Sequence, residues 1–227
     1  MVLACKIFLV RESYDMDTLA EKLKAFRVET ETSVEEQEFK LVTEVSDLRA
    51  AKSALEGNFS FDAVSVVRHR DRTVPVPRTY EAPFSFNVYK DRLFLTVYDK
   101  KTRANNAANE MSKAVFMSLG QVVEARIEPE TLRKFHEANF QDTKVIFYSD
   151  VDLPNINKLS LYGAELGNTG LYADYLTHGK LWYIVFTSKA YGYVIGLTRN
   201  CIVTGFSKME LPEFKTFVGS QVFPLIA

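Results

Sequence analysis

Between residues 179 and 208 apolar positions recur with a period of two, broken only by two short polar turns. Leu181, Tyr183 and Val185 alternate with Trp182, Ile184 and Phe186, a run of aromatic and β-branched side chains that suits a pleated surface. The pattern predicts three strands, over residues 181–186, 191–197 and 201–206, joined through Ser188-Lys189-Ala190 and Thr198-Arg199-Asn200. Connections this short make antiparallel neighbours.

The same periodicities, read from the start of the chain, predict a strand over residues 2–10. A helix follows, capped by Asp15 or Asp17, with Leu19, Leu23 and Phe26 at helical spacing. The acidic run 29–38 reads as an exposed connection into a strand over 39–45. Ser46 and Asp47 offer a cap for a helix over 48–55, with Gly57-Asn58 as its stop. A strand over 61–68 precedes a segment in which Pro75, Pro77 and Pro83 lack ladder donors, and which is therefore an edge, a connection or a hinge. Residues 84–89 and 93–98 flank Lys90-Asp91-Arg92 as a hairpin.

Next comes a helix over 102–119, ended by Gly120, with Ala104, Ala107, Ala108, Met111, Ala114 and Val115 on one face. After residues 121–127, Glu128-Pro129-Glu130 opens a helix that turns Leu132, Phe135 and His136 inward. Strands at 144–148 and 159–162 precede a loose stretch over 163–179. Beyond the meander, Pro212 starts a last helix through Phe214, Phe217 and Val218.

These elements predict an α+β protein, with a largely antiparallel sheet and helices packed on one face. They divide into an N-terminal half, 1–119, and a C-terminal half, 120–227, that carries the meander. Residues 47–119 and 129–220 each run helix, several strands, helix, which suggests two similar halves. That element order is similar to the saddle of TATA-binding-like folds, an analogy of order alone that carries no functional residue across.

A chain of 227 residues, 47% hydrophobic and 25% charged, is long and apolar enough to bury a real core. Lys plus Arg number 28 against 29 Asp plus Glu, so no whole-molecule field drives binding to nucleic acid or an anionic membrane, and any such contact must be a local patch. The two cysteines, Cys5 and Cys201, sit in apolar strand patterns and read as buried thiols. The apolar run 1–10 is interrupted by Lys6 and lacks a small-residue cleavage site, so it reads as a strand rather than a signal peptide. No stretch reaches the roughly 18 apolar residues of a membrane span, and the expected location is cytoplasmic.

Arg68, Arg70 and Arg72 form the best local polar feature. If the strand at 61–68 continues, they project from one face at period two and can grip successive phosphates or a carboxylate surface, with Lys100, Lys101 and Arg103 extending the patch. The bland alternative is a strand end kept soluble by charge.

His69, His136 and His178 have no partners at ligand spacing, Asp150 and Asp152 suit a turn better than a metal, and Gly163, Gly167 and Gly170 follow no phosphate-loop pattern. No metal, cofactor or catalytic residue is assigned. Gly192 and Gly196 leave one strand face nearly bare, either covered by Trp182 or Phe186 or open as a groove. The expectation is a non-enzymatic binding or scaffolding protein that uses an exposed sheet face, with a protein or a nucleic acid as partner. The alternative is an enzyme acting on a small molecule through a site gathered from distant residues, His136 or His178 beside a carboxylate.

Overall fold

The computed structural model describes residues 2–12, 14–139 and 142–226; Met1, at the head of the first apolar run, lies outside them. Strands and helices alternate as β1 (Leu3–Val10), α1 (Met16–Lys24), β2 (Arg27–Val34), β3 (Gln37–Ala51), β4 (Ala54–His69), β5 (Arg72–Tyr89), β6 (Arg92–Val97) and α2 (Lys101–Phe116). They continue as β7 (Val122–Glu124), α3 (Pro129–Asn139), β8 (Val145–Ser149), β9 (Leu159–Tyr162), α4 (Gly170–His178), β10 (Lys180–Thr187), β11 (Val194–Thr198), β12 (Ile202–Gly205) and α5 (Leu211–Phe217). The class is α+β with antiparallel sheet. The chain forms two compact units, one of residues 8–123 and one that joins the segment ending at Ile7 to everything from Glu124 onward. Each contains part of β1.

In the N-terminal unit the strand order is β2-β3-β4-β5-β6, followed by β1. Cross-strand partners share a face, and the pairs Leu55 with Phe86, Phe59 with Ala82, and Phe84 with Val97 make one face apolar. Against it pack Leu19 and Leu23 of α1 and Ala104, Ala107, Ala108, Met111 and Val115 of α2. The alanines let α2 approach the sheet closely. Asp15 caps α1, its carboxylate accepting from the Thr18 N–H at 2.8 Å and from the Thr18 hydroxyl at 2.7 Å.

Two predicted elements differ. Residues 29–38 are not a connection but the tip of the β2–β3 hairpin, turned by Glu35 and Glu36 at φ of 51° and 65°. Glu29 is held along its own strand by Arg27 and across the ladder by Lys40, and Arg27 also reaches across to Glu44 of β3. Nor is there a helix over 48–55; β3 runs through to Ala51 and turns at once into β4. Leu, Ala, Lys and Arg favour a helix there, but by less than about 1 kcal/mol each. Burying Leu55 beside Phe86 contributes roughly 2 kcal/mol at a single position, so packing overrides propensity. Asp47, the proposed cap, adopts φ of 53° at a bulge in β3.

The proline segment is a full strand with a one-sided ladder. β6 pairs with β5 only from Phe84 to Tyr89, and among the described residues the stretch 72–83 has β4 as its sole partner strand. Pro83 directs its carbonyl away from β4, where it accepts from the Tyr98 N–H at 2.8 Å. Register is unbroken from there to the turn, so Pro75 and Pro77, at the same parity, also direct their donorless nitrogens away from β4. No β4 hydrogen bond is lost.

In the C-terminal unit the order is β1-β12-β11-β10-β8-β9. The three meander strands pair as predicted, although β11 begins at Val194, and Tyr191 and Gly192 belong to the preceding turn. Ile184 and Phe186, paired with Leu197 and Ile195, face the helices, where Phe135 of α3 meets the Phe186 ring edge-on at 5.4 Å. The stretch 163–179, expected to be loose, contains a 3-10 turn at Leu166–Asn168 and α4, capped by Thr169. Cys5 and Cys201 are free and buried, and burial pushes both thiols well above their ordinary range.

Candidate functional site

The sheet face of the C-terminal unit that lies away from the core residues Ile184 and Phe186 is aromatic. Its key device is a bulge in β10: Leu181 opposes Tyr148, but Tyr183 opposes Phe147, leaving Trp182 as an extra residue. Strict alternation would put Trp182 with Ile184 and Phe186. The bulge instead brings it beside Tyr183, and both rings meet Phe147. Phe147 and Trp182 lie parallel within 8° at 6.3 Å, Tyr183 meets Phe147 edge-on at 5.4 Å, and Tyr162 of β9 does so at 5.8 Å.

Gly196 of β11 completes this floor. A Cβ there would stand 2.6 Å from the Tyr183 hydroxyl and 3.0 Å from the Phe206 ring, so only glycine lets both aromatics lie across the strand. The bare glycine position is thus covered by Tyr183 and Phe206, not by Trp182 or Phe186. Tyr162 is 68% exposed and Phe206 47%, so the two ends of the aromatic row face solvent. Burial, with Tyr162 nearby, raises the Tyr183 pKa and keeps its hydroxyl protonated.

Cations line one side of the floor. A shallow groove of about 320 Å³ is bounded by Trp182, Lys158, Arg199, Arg126, Ser149, Asn200 and Asp150. Lys180, opposite Ser149 in the register, projects from the same face. The Lys158 ammonium stands 5.3 Å above the Trp182 ring. Arg199, in the β11–β12 turn, is held by its own N–H, which donates to the Trp182 carbonyl at 2.9 Å. Its guanidinium donates to Asp150 at 3.0 Å and Ser149 at 3.3 Å. Three cations therefore line the groove against one carboxylate, Asp150, which Arg199 already holds, and Lys180 stands on the same face, a local excess that the near-neutral whole chain conceals.

A larger groove, about 720 Å³, lies between α1 and β3 in the N-terminal unit. Its charged rim is Asp17, Glu21 and Asp47 against Lys24, the wrong sign for an anionic ligand, and its floor carries no aromatic ring.

The arginines singled out in the sequence lie elsewhere. The strand ends at His69, and Arg70 and Asp71 form the turn of the long β4–β5 hairpin. Arg68 pairs with Thr73 and His69 with Arg72, so Arg68 and Arg72 occupy opposite faces rather than one period-two row. The Arg68 Nε–H donates to the Arg70 carbonyl at 3.3 Å, and Thr73 donates to Glu35 of the acidic β2–β3 tip at 2.9 Å.

Lys100, Lys101 and Arg103 sit at the start of α2 and do not extend that tip. Arg103 grips Asp99 through two hydrogen bonds and lies over Tyr80, 5.4 Å from its centroid. Tyr80 is eight residues further along β5 than Arg72, a span of roughly 25 Å at the rise of a strand.

The histidines are also apart. His69 is exposed at the hairpin tip, and His178 pairs with Asp152 at 2.9 Å on the surface. His136 is buried between the Tyr172 hydroxyl at 3.0 Å and the Thr143 hydroxyl at 2.9 Å; burial lowers its pKa to about 4 and raises that of Tyr172 to about 12. Among the described residues no three His, Cys, Asp or Glu side chains converge as metal ligands. No helix among them is long and apolar enough to cross a membrane.

The chain matches no protein-family profile, and no curated protein matches it. Function must be argued from the site itself.

Proposed function

We propose that the protein is a non-catalytic binding module that takes a nucleic-acid strand on the open sheet face of its C-terminal unit. The observation that carries this reading is the joint presence of an aromatic floor, Tyr162, Phe147, Trp182, Tyr183 and Phe206, and a cationic margin, Lys158, Arg126, Lys180 and Arg199. Bases offer flat π faces and phosphates offer charge, and a protein surface that serves both combines stacking rings with Lys and Arg. A peptide without acidic side chains would use the rings but leave most of the cations without a role.

Magnitudes favour ligand over the resting contact. An exposed ammonium over a ring is worth about 0.5–1 kcal/mol, whereas stacking a base on an aromatic side chain contributes about 1–3 kcal/mol. A base can therefore displace Lys158 from Trp182 and release its ammonium to a phosphate.

A reading of two similar halves, TATA-binding-like in element order, draws little support from the elements: residues 47–119 open on strand rather than helix, and α4 interrupts the strands between α3 and α5. The strand pairing is not the same in each. β8 lies between β9 and β10, whereas β2 to β6 follow one another in sequence.

Trp182 is the only tryptophan, so intrinsic fluorescence reports the site directly. Titration with an oligonucleotide at low salt is expected to quench and shift its emission. The apparent affinity should fall with rising salt in proportion to the phosphates neutralised. An emission spectrum unmoved by any oligonucleotide at low salt would end the proposal.

A further inference from the structure

The aromatic row does more than mark a face; its direction and length define what lies on it. Tyr162 belongs to β9, Phe147 to β8, Trp182 and Tyr183 to β10, and Gly196 of β11 provides the space over which Tyr183 and Phe206 meet. The rings thus cross successive strands of the sheet, with Phe206, just past β12, at the far end. At a strand spacing of about 4.8 Å, four steps from β9 to β12 cover roughly 19 Å. The cations do not continue the row but flank Trp182, at the groove edge formed by Lys158, Arg126 and Arg199.

Resting on the sheet-face proposal above, we infer that the ligand is a single-stranded nucleic acid, about three nucleotides of which lie along this row. One base stacks at Trp182, another at Tyr162 and another at Phe206, while phosphates beside the Trp182 base meet Arg126, Arg199 and the displaced Lys158. Strandedness follows from access. A duplex keeps its base faces stacked inside and offers a shallow protein surface only its backbone and edges, whereas an unpaired strand can splay its bases onto rings. Two or three stacked bases are also what a sheet face of a few strands can hold. Tyr162 and Phe206, both exposed, are then site-size determinants, and Gly196 is a positioning residue that lets the far end of the row lie flat.

The test uses the full chain and oligothymidylates of one to eight nucleotides, matching oligouridylates, and a 20-base-pair duplex, with Trp182 emission and anisotropy of end-labelled probes as readouts. Affinity should climb steeply up to about three or four nucleotides and then only slowly. The duplex should bind at least about tenfold more weakly than its separated strand. Tyr162→Ala and Phe206→Ala should each weaken an eight-nucleotide strand by about five- to hundredfold, the range that loss of one stacked base implies. Far-UV circular dichroism and the urea midpoint, which do not depend on the ligand, should stay close to those of the wild type and show that the variants are folded.

Duplex binding as tight as single-strand binding, or an affinity independent of length and of Tyr162, would overturn this inference and leave the sheet-face reading standing. A Trp182 signal that answers to no probe would remove both. Equal affinity for the deoxyribose and ribose series would be expected of stacking and charge alone, since neither uses the 2′-hydroxyl.

Discussion

At the scale of single residues, His136 shows how a side chain that looks chemical can be structural. Both ring nitrogens are engaged, by Tyr172 and Thr143, and the ring is fully buried. Its folded pKa, about 4, lies below the ordinary 6.5, so the unfolded chain takes up the proton more readily. Its contribution to stability is therefore complete above about pH 6.5 and is lost as pH falls toward 4, at about 1.4 kcal/mol per unit and roughly 3 kcal/mol in all. Denaturant titrations of the wild type and of His136→Gln at pH 7.5 and pH 4.5 should show a shallower pH dependence in the variant; equal slopes would assign acid sensitivity to carboxylates instead. The sequence marks His136 as inward by its helical spacing with Leu132, and that much was legible. Its partners were not, because Thr143 and Tyr172 come from segments whose approach depends on the tertiary fold.

At the scale of elements, strong period-two segments were readable and weakly patterned ones were not. The meander, the β5–β6 hairpin, α1, α2 and α3 follow from periodicity and caps, since local chemistry and tertiary packing agree there. The helix expected over 48–55 fails where the two disagree. The binding face was hidden for a different reason. A single extra residue in β10 reverses the side on which Trp182 lies, and no feature of the run from Lys180 to Thr187 announces a bulge.

The prolines of β5 give a sharper rule than propensity. Even-numbered residues there donate to β4 and odd-numbered ones face away, so Val76→Pro should remove a ladder bond and add a steric clash, costing about 3 kcal/mol or more. Pro77→Ala should leave that ladder intact. Urea midpoints for the two variants would check the contrast, and similar losses for both would refute the assigned parity.

At the scale of the whole molecule, the C-terminal unit is assembled from both ends of the chain. Cys5 and Ile7 are completely buried within it, Leu3 to Lys6 pair with β12, and the buried Lys6 ammonium is matched by Glu124. A fragment of residues 124–227 should therefore lack a dispersed NMR spectrum, and a peptide of residues 1–10 added in trans should restore it; a well-folded fragment alone would show β1 to be dispensable.

Long strands carry a hazard that this chain meets through the placement of its prolines. From Phe84 toward the turn the outer edge of β5 runs for about twelve residues without a neighbouring strand among the described residues, the kind of margin that recruits other chains into aggregates. Pro75 and Pro77 turn toward that margin, so an arriving strand finds two positions with no donor to grasp, and at its inner end the Pro83 carbonyl is already taken by the Tyr98 N–H. On that margin β5 can extend past β6 and still resist an incoming strand.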